Sequence, residues 1–195
     1  MKLLDPEKPL DTAAKVPEGL VKIGKALARR WLLPILAAFA LVGAATAQAS
    51  EAPKAGDRPP EFQLDDLDGR PVALSRFVGE VVSVHFFAVW CEPCLAEIPE
   101  IEKAAAHYRG RGYQPLLVAV AHRQDLRRLR EFAKSRGLEV PVLFDDKATV
   151  QQLYGVTGLP HNVLIGRDGK VRYGGNSLPP AFADQIGRLV TERAK

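Results

Sequence analysis

A run of seven mostly apolar residues at positions 81–87, VVSVHFF, constrains the fold of this chain more than any other feature. Its β-branched and aromatic side chains predict a strand buried on both faces, as strands are inside a sheet covered by helices. Residues 92–109 follow with apolar side chains at helical spacing, at Leu95, Ile98, Ile101 and Ala105. The sequence therefore predicts a buried strand that runs almost directly into an amphipathic helix.

The other segments continue this alternation of strands and helices. Strands are predicted at 116–121 and 140–144, and helices at 125–136 and 147–154. Turn sequences predict two hairpins, with strands at 61–64 and 71–74 and at 161–165 and 170–173. A last helix is expected to open at Pro179-Pro180 and to reach about Arg193. The expected fold class is α/β, with a central mixed sheet flanked by helices and an N-terminal β-hairpin extension.

Residues 1–49 have the pattern of an export leader. The nineteen residues from Trp31 to Ala49 carry no charge, and basic residues precede them. A basic flank, an apolar run and an A-x-A end are typical of a signal peptide, here cleaved after Ala49. A run of this length can also remain in the bilayer as an anchor, and the sequence leaves both alternatives open. Either way, the proline-rich linker at 50–60 and one domain at 61–195 are expected on the periplasmic or extracytoplasmic side.

The positive charge of the chain is concentrated in this leader. Residues 1–49 hold 7 Lys and Arg against 4 Asp and Glu, which gives +3. Residues 50–195 hold 20 against 19, which gives +1. Because a nucleic-acid surface needs a clustered basic excess, no nucleic-acid partner is expected.

Both cysteines of the chain lie in one C-x-x-C sequence, Cys91-Glu92-Pro93-Cys94, where the predicted strand meets the helix. Free N–H groups and the dipole at a helix N-terminus stabilise a thiolate. Cys91 is therefore the candidate nucleophile, and Cys94, one turn further, is the candidate resolving thiol. Pro93 in the first turn loses no helical hydrogen bond. The pattern predicts thiol–disulfide exchange, which needs no cofactor beyond the cysteine pair.

Three other interpretations of the C-x-x-C are weaker. A structural disulfide across so short a loop adds little stability, since the entropic gain grows with loop length. A zinc site needs two more ligands, and none of the four histidines has a ligand spacing to the cysteines. Chance occurrence is the third interpretation. No metal ligands are therefore assigned.

Several further blocks of sequence accompany the cysteines. They are EFQLDDLDG at 61–69, LSRFVGEVV at 74–82, FFAVWCEPC at 86–94, VTGLP at 156–160 and VLIGRDGKV at 163–171. Together they resemble the thioredoxin superfamily, and most closely its exported TlpA-like and ResA-like branch, related to DsbE-type and AhpC/TSA–Redoxin proteins. The resemblance covers nearly all of the chain after the linker. It implies a thioredoxin-like fold and a thiol–disulfide oxidoreductase.

The resemblance also implies roles for residues around the cysteines. Pro160 is expected to follow a cis peptide bond from Leu159 and to lie beside the C-x-x-C. The backbone there is expected to pair with an extended segment of the substrate. Trp90, Glu92 and Pro93 are expected at the rim of the site, where they position the substrate; for Trp90, simple packing is the alternative.

Glu97 and His85 are candidates for handling a proton. Glu97 lies three residues after Cys94, so its carboxylate can relay the proton of a buried thiol; a solvated surface glutamate is the alternative. His85 stands where thioredoxins carry a buried aspartate. It is interpreted as a packed, hydrogen-bonded residue, with a proton relay to Cys94 as the alternative. His161 follows Pro160 where threonine is common, which leaves the substrate preference open.

These features favour a protein-disulfide reductase. A negative charge at Glu92 disfavours a thiolate, which makes the dithiol the better reductant. By resemblance, the client is apocytochrome c or a protein of copper-oxidase assembly, and a membrane electron donor of the DsbD or CcdA type re-reduces the pair. Two other classes stay open. One is a copper-binding assembly factor that uses both thiols and His85 or His161; the other is a thiol peroxidase, although Ala88 stands where those enzymes carry Thr or Ser.

Overall fold

The computed structural model describes residues 52–192, which alternate strands and helices in the predicted order. The strands are β1 (Gln63–Asp65), β2 (Pro71–Ala73), β3 (Val81–Phe87), β4 (Tyr113–Val120), β5 (Val142–Asp145), β6 (His161–Ile165) and β7 (Val171–Gly175). The α-helices are α1 (Glu92–His107), α2 (Leu126–Arg136), α3 (Thr149–Leu153) and α4 (Phe182–Thr191), with a short 3-10 helix at Leu74–Phe77.

Strand β3 is the middle strand of a five-stranded mixed sheet with the order β5-β4-β3-β6-β7. It pairs in parallel with β4 and antiparallel with β6, and all seven of its residues are buried. β1 and β2 form a separate antiparallel pair. The predicted α/β class, the mixed sheet and the N-terminal hairpin are therefore confirmed.

Side chains on the two faces of β3 pack against different layers, because successive residues of a strand point to opposite faces. The ring of Phe87 lies 6.0 Å from that of Phe132 in α2. The ring of Phe86, on the other face, lies 5.4 Å from that of Tyr154, directly after α3. The sheet is thus covered on both faces, as the apolar run predicts.

Strand β4 contains Pro115 although it is an inner strand of the sheet. Backbone N–H groups alternate in direction along a strand, so the nitrogen of Pro115 faces the same side as that of Leu117. Leu117 donates to the carbonyl of Pro141 at 3.0 Å, and pairing with β5 begins only at Leu117. Pro115 therefore costs no ladder hydrogen bond. For this reason β4 starts at Tyr113, ahead of the predicted start at 116.

The last helix begins later than predicted. Helix α4 starts at Phe182, after Ala181 with a left-handed φ of 51°. Pro180 disfavours a helical conformation at Pro179, and Ala181 breaks the helical path after Pro180. The two prolines therefore precede α4 instead of opening it. The described helix ends at Thr191, and the predicted end at Arg193 lies outside the described residues.

The described part of the predicted linker, residues 52–60, is fixed to the domain. Gly56 donates to the carbonyl of Val171 at 2.9 Å, and Val171 donates to the carbonyl of Asp57 at 2.9 Å. β7 is the last strand of the sheet, so its outer backbone groups need partners, and this segment supplies them. Residues 52–60 form no helix or strand, as expected of a linker. They are nevertheless held against the domain by the hydrogen bonds to Val171.

The predictions for the leader, including the apolar run at 31–49 and the cleavage after Ala49, lie outside the described residues. Among residues 52–192, no helix has both the length and the apolar composition needed to cross a membrane.

The packing around Phe86 predicts a large loss of stability on truncation. Phe86 is 0% exposed, whereas Val78 is 83% exposed. We expect Phe86→Ala to lower the free energy of unfolding by about 3 to 5 kcal/mol. Val78→Ala, the matched control, should change it by less than about 0.5 kcal/mol. Urea unfolding curves of the oxidised proteins measure both, and equal effects would contradict the described core.

Candidate active site

Cys91 and Cys94 form a disulfide at the start of helix α1, with an S–S distance of 2.07 Å. Cys91 is the N-cap residue, and its sulfur accepts a hydrogen bond from the N–H of Cys94 at 3.3 Å. Cys91 is 6% exposed and Cys94 is 0% exposed. The first turn of the helix thus presents its free N–H groups to Cys91, which is also the only one of the two with any exposed surface.

A tight turn connects strand β3 to this cysteine pair. Cys91 donates its N–H to the carbonyl of Ala88 at 3.0 Å, and the N–H of Leu95 donates to the carbonyl of Cys91 at 3.0 Å. The first hydrogen bond closes the turn, and the second is the first bond of the helix. Pro93 lies in the first helical turn, where no helical hydrogen bond is lost, as predicted.

The rim of the site is braced by the loop that follows β4. The indole N–H of Trp90 donates to the carbonyl of His122 at 2.8 Å, and the side chain is 41% exposed. The N–H of Val89 donates to Oε1 of Gln124 at 2.8 Å, and Gln124 is bonded in turn to the carbonyl of Val120. Trp90 is therefore both packed and open to a partner, so the two alternatives for it are compatible.

The other predicted rim residues are also exposed. Glu92 and Pro93 are exposed in the first turn of α1, with the Glu92 carboxylate near the positive end of the helix dipole. The peptide bond between Leu159 and Pro160 is cis, as predicted. Because β3 and β6 are antiparallel, the start of β6 lies at the same end of the sheet as the end of β3. Pro160 therefore lies at the end of the sheet that carries Cys91.

Glu97 is held by hydrogen bonds in a mostly buried position. Its Oε1 accepts the N–H of Leu178 at 3.0 Å, and its Oε2 accepts from Nδ2 of Asn162 at 2.9 Å. The side chain is 16% exposed. It is therefore not the solvated surface glutamate that the sequence left as an alternative.

The same asparagine connects Glu97 to His85. Oδ1 of Asn162 lies 2.8 Å from Nδ1 of His85, and this nitrogen is 3.5 Å from Oε2 of Glu97. Asn162 and His85 are opposite each other in the β3–β6 register, so they lie on the same face of the sheet. The histidine is a packed, hydrogen-bonded residue, as interpreted from the sequence.

The environment of His85 favours its neutral form. Burial lowers the pKa of His85 below its usual value of 6.5, because the charged ring would lose its hydration. The hydrogen bond of Asn162, the charge of Glu97 and a hydrogen bond with the Cys94 backbone oppose this shift of the pKa. The ring is therefore neutral at neutral pH.

His161 is a second buried histidine, on the other face of the sheet. Its ring lies 6.0 Å from that of Phe86, and its Nδ1 is 3.3 Å from Oδ1 of Asn176. Burial lowers the pKa of His161, and the hydrogen bond with Asn176 acts in the opposite direction. It does not join the His85 network, because neighbouring residues of β6 point to opposite faces.

The sequence did not assign three residues that complete the site: Asn162, Gln124 and Leu178. Asn162 had one usable signal, a polar residue inside a run otherwise typical of a buried strand. Gln124 and the backbone of Leu178 carry no such signal. They lie in loops 35 and 81 positions away from Val89 and Glu97, the residues to which they are hydrogen-bonded.

Across residues 52–192, no group of three or more His, Cys, Asp or Glu side chains is arranged to hold a metal ion. In this state the two cysteine sulfurs are bonded to each other.

Comparison with known proteins agrees with this geometry. The model of the AhpC/TSA family matches residues 55–174, which is more than half of the chain and includes the site from Trp90 to Pro160. The chain belongs to the AhpC/TSA family. Within the match lie the disulfide, the cis proline and all three members of the His85–Asn162–Glu97 network.

A relative of this chain carries a name that agrees with a redox-active cysteine pair. The thiol-disulfide oxidoreductase ResA of Bacillus subtilis (strain 168) is 34% identical over 116 residues, which is 60% of this chain and 64% of that protein. The chain thus spans less than two thirds of the length of this relative.

Two solved structures from Chlorobium tepidum share the fold. A protein assigned as a thiol:disulfide interchange protein DsbE has a TM-score of 0.63 and 32% identity, over 71% of this chain and 96% of its own. A thioredoxin-family thiol:disulfide interchange protein has a TM-score of 0.61 and 26% identity, over 71% of this chain and 99% of its own. The AhpC/TSA family member described here therefore has a thioredoxin-like fold, as the sequence resemblance implies.

The buried histidines predict acid sensitivity of the folded state. Because the pKa values of His85 and His161 are lowered in the folded protein, the unfolded chain binds their protons first as the pH falls. The stability that the two neutral rings contribute is fully present well above pH 6.5, the usual pKa of histidine. It is lost as the pH falls from 6.5 through the lowered pKa values of the folded protein. Urea unfolding of the oxidised protein at a series of pH values measures this loss. In the double variant His85→Asn, His161→Asn, the free energy of unfolding should depend less steeply on pH below 6.5. An unchanged slope would contradict the lowered pKa values of the two histidines.

Proposed function

We propose that this protein is an exported thiol–disulfide oxidoreductase that reduces disulfides in a client protein through Cys91 and Cys94. The observation that carries the proposal is the disulfide at the N-terminus of α1, in which Cys91 keeps 6% of its surface exposed and Cys94 keeps none. The names of relatives and the thioredoxin-like fold support the same chemistry.

The asymmetry of burial separates the two chemical steps. The Cys91 thiolate attacks a sulfur of the client disulfide; a new S–S bond joins client and Cys91, and the other client sulfur leaves as a thiolate that takes a proton from water. Cys94, after losing its proton, then attacks the Cys91 sulfur. The Cys91–Cys94 bond forms, the bond to the client breaks, and the client leaves with both thiols reduced while this protein has lost two electrons.

The charge at the rim favours reduction over oxidation. Glu92 adds a negative charge in the first turn beside Cys91, where it opposes a thiolate. A less stabilised thiolate makes the disulfide form relatively more stable, so the dithiol gives up its electrons more readily.

The surface at the end of the sheet suits an extended client segment. We expect the backbone at Leu159 and Pro160, which are joined by a cis peptide bond, to pair with the client by strand addition. The exposed residues Trp90, Glu92 and Pro93 are expected to contact the client at the rim. No cofactor beyond the cysteine pair is needed.

The leader and the family resemblance support a proposal for the cellular setting. An apolar run at 31–49 would export the domain or tether it to the extracytoplasmic face of the membrane. The client is apocytochrome c before haem attachment, or a protein of copper-oxidase assembly. A membrane donor of the DsbD or CcdA type re-reduces the pair. Copper content of the reduced protein, and peroxide consumption, test the metallochaperone and peroxidase alternatives.

Separate substitutions of the cysteines test the two steps. Cys94→Ser should trap a mixed disulfide between Cys91 and the client, because the resolving attack is lost, and Cys91→Ser should abolish disulfide reduction. Trapping in cells, followed by non-reducing gels and mass spectrometry, identifies the client. Full reductase activity of Cys91→Ser would refute the mechanism.

Removing the charge of Glu97 should slow the second step. Reduced protein mixed with the disulfide DTNB releases one thionitrobenzoate when Cys91 attacks and a second when Cys94 closes the disulfide. Because Glu97 lies in the network beside Cys94, we expect Glu97→Gln to shift the pH dependence of the second release but not of the first. Glu100→Gln, an exposed glutamate in the same helix, is the matched control. Superimposable profiles for Glu97→Gln and the control would rule out the role of Glu97.

A further inference from the structure

The side chain of Gln124 lies between two backbone groups at the active-site end of strands β3 and β4. Its Oε1 accepts the N–H of Val89 at 2.8 Å, and its Nε2 donates to the carbonyl of Val120. Gln124 is half-buried and stands 35 positions after Val89 in the sequence. One side-chain amide thus joins the segment that follows β3 to the last residue of β4.

The hydrogen-bond pattern between β3 and β4 shows what this amide replaces. At the start of the pair the N–H of Val81 donates to the carbonyl of Gly112 at 2.9 Å, and a parallel ladder repeats such bonds at every second residue. Eight residues further along both strands, the same pattern makes Val89 the donor and Val120 the acceptor. Instead, the amide of Gln124 lies between these two groups. The strands are therefore held apart by one amide group at the point where the chain leaves the sheet for the cysteines.

The loop after β4 turns sharply to bring this amide to the site. The N–H of Gln124 donates to the carbonyl of Ala121 at 3.5 Å, which closes a tight turn. Inside the turn, Arg123 has a left-handed φ of 57°, a conformation that is costly for residues other than glycine and persists where the surroundings require it. His122 of the same turn accepts the indole N–H of Trp90. This one turn thus holds two successive residues that precede the cysteine pair.

The position of the Cys91 sulfur depends on the segment that this turn holds. Cys91 follows Val89 by two residues, and its N–H donates to the carbonyl of Ala88. Its sulfur accepts the N–H of Cys94 at 3.3 Å. Since a thiolate at this position is stabilised by the free N–H groups of the helix, any movement of the sulfur away from them weakens the nucleophile. An anchored Val89 restricts that movement.

We propose that Gln124 is a positioning residue for the exchange reaction: its side-chain amide spaces the end of β3 from β4 and thereby holds the Cys91 sulfur at the start of α1. This inference rests on the proposed function. Gln124 acts through Val89 and not on the sulfur itself. Its amide carries no charge and takes up no proton, so its effect on Cys91 is one of geometry.

The first release of thionitrobenzoate from DTNB, by Cys91, measures the proposed positioning. Gln124→Met keeps the length of the side chain, removes both of its hydrogen bonds and changes no charge. With hydrogen bonds of ordinary strength lost from the turn, we expect the first release to be slower by about three- to tenfold at neutral pH. Because a less fixed sulfur gives a less stabilised thiolate, the release should also depend on pH over a more alkaline range than in wild type.

A matched control separates positioning from a general loss of stability. Gln114 is also half-buried, near the opposite end of β4, and its Nε2 donates to the carbonyl of Pro115 at 2.9 Å. Gln114→Met therefore makes the same chemical change far from the cysteines, and the pH profile of its first release should match that of wild type. If Gln124→Met also matches wild type, or if both variants give the same shift, the proposal is wrong. If wild type itself releases no thionitrobenzoate, the proposed function fails instead.

A second measurement uses the wild-type protein and does not depend on a variant that folds. Scalar couplings across hydrogen bonds connect the ¹⁵N of a donor to the carbonyl ¹³C of its acceptor. We expect the backbone nitrogen of Val89 to couple to the side-chain carbonyl carbon of Gln124. A coupling to the backbone carbonyl carbon of Val120 would show that the two strands pair directly, and would overturn the proposal.

Discussion

The double pairing of β3 is the constraint on which the rest of this molecule depends. All seven of its residues are buried, and it is hydrogen-bonded to β4 on one side and β6 on the other. A strand enclosed in this way can neither slip in register nor turn without exposing apolar side chains. The position at which β3 ends and the face to which each of its side chains points are therefore fixed. Both of these properties position residues of the active site.

The site uses the two properties of β3 in different ways. The end of the strand places Cys91 at the start of α1, where helix N–H groups face the sulfur. The alternation of side chains places His85 on the face that α1 covers, opposite Asn162 of β6. One strand thus positions both the sulfur that meets the client and the ring beside Cys94. The small exposed surface that Cys91 keeps and Cys94 lacks suits the two sulfurs to separate tasks.

Local chemistry explains which features could be predicted from the sequence. The apolar run of β3, the turn sequences of the hairpins and the C-x-x-C at a helix start are properties of neighbouring residues. The network of His85, Asn162 and Glu97 joins residues up to 77 positions apart, so no local pattern encodes it. The same holds for the segment at 52–60, which looked like a linker but pairs with the edge of β7.

At this junction the two cysteines differ in access, because Cys91 keeps 6% of its surface exposed and Cys94 keeps none. The most direct measurement is brief alkylation of the fully reduced protein with less than one equivalent of iodoacetamide, followed by peptide mass spectrometry. We expect the label on Cys91, with Cys94 unmodified. Equal labelling of the two cysteines, or preferential labelling of Cys94, would contradict this difference in access.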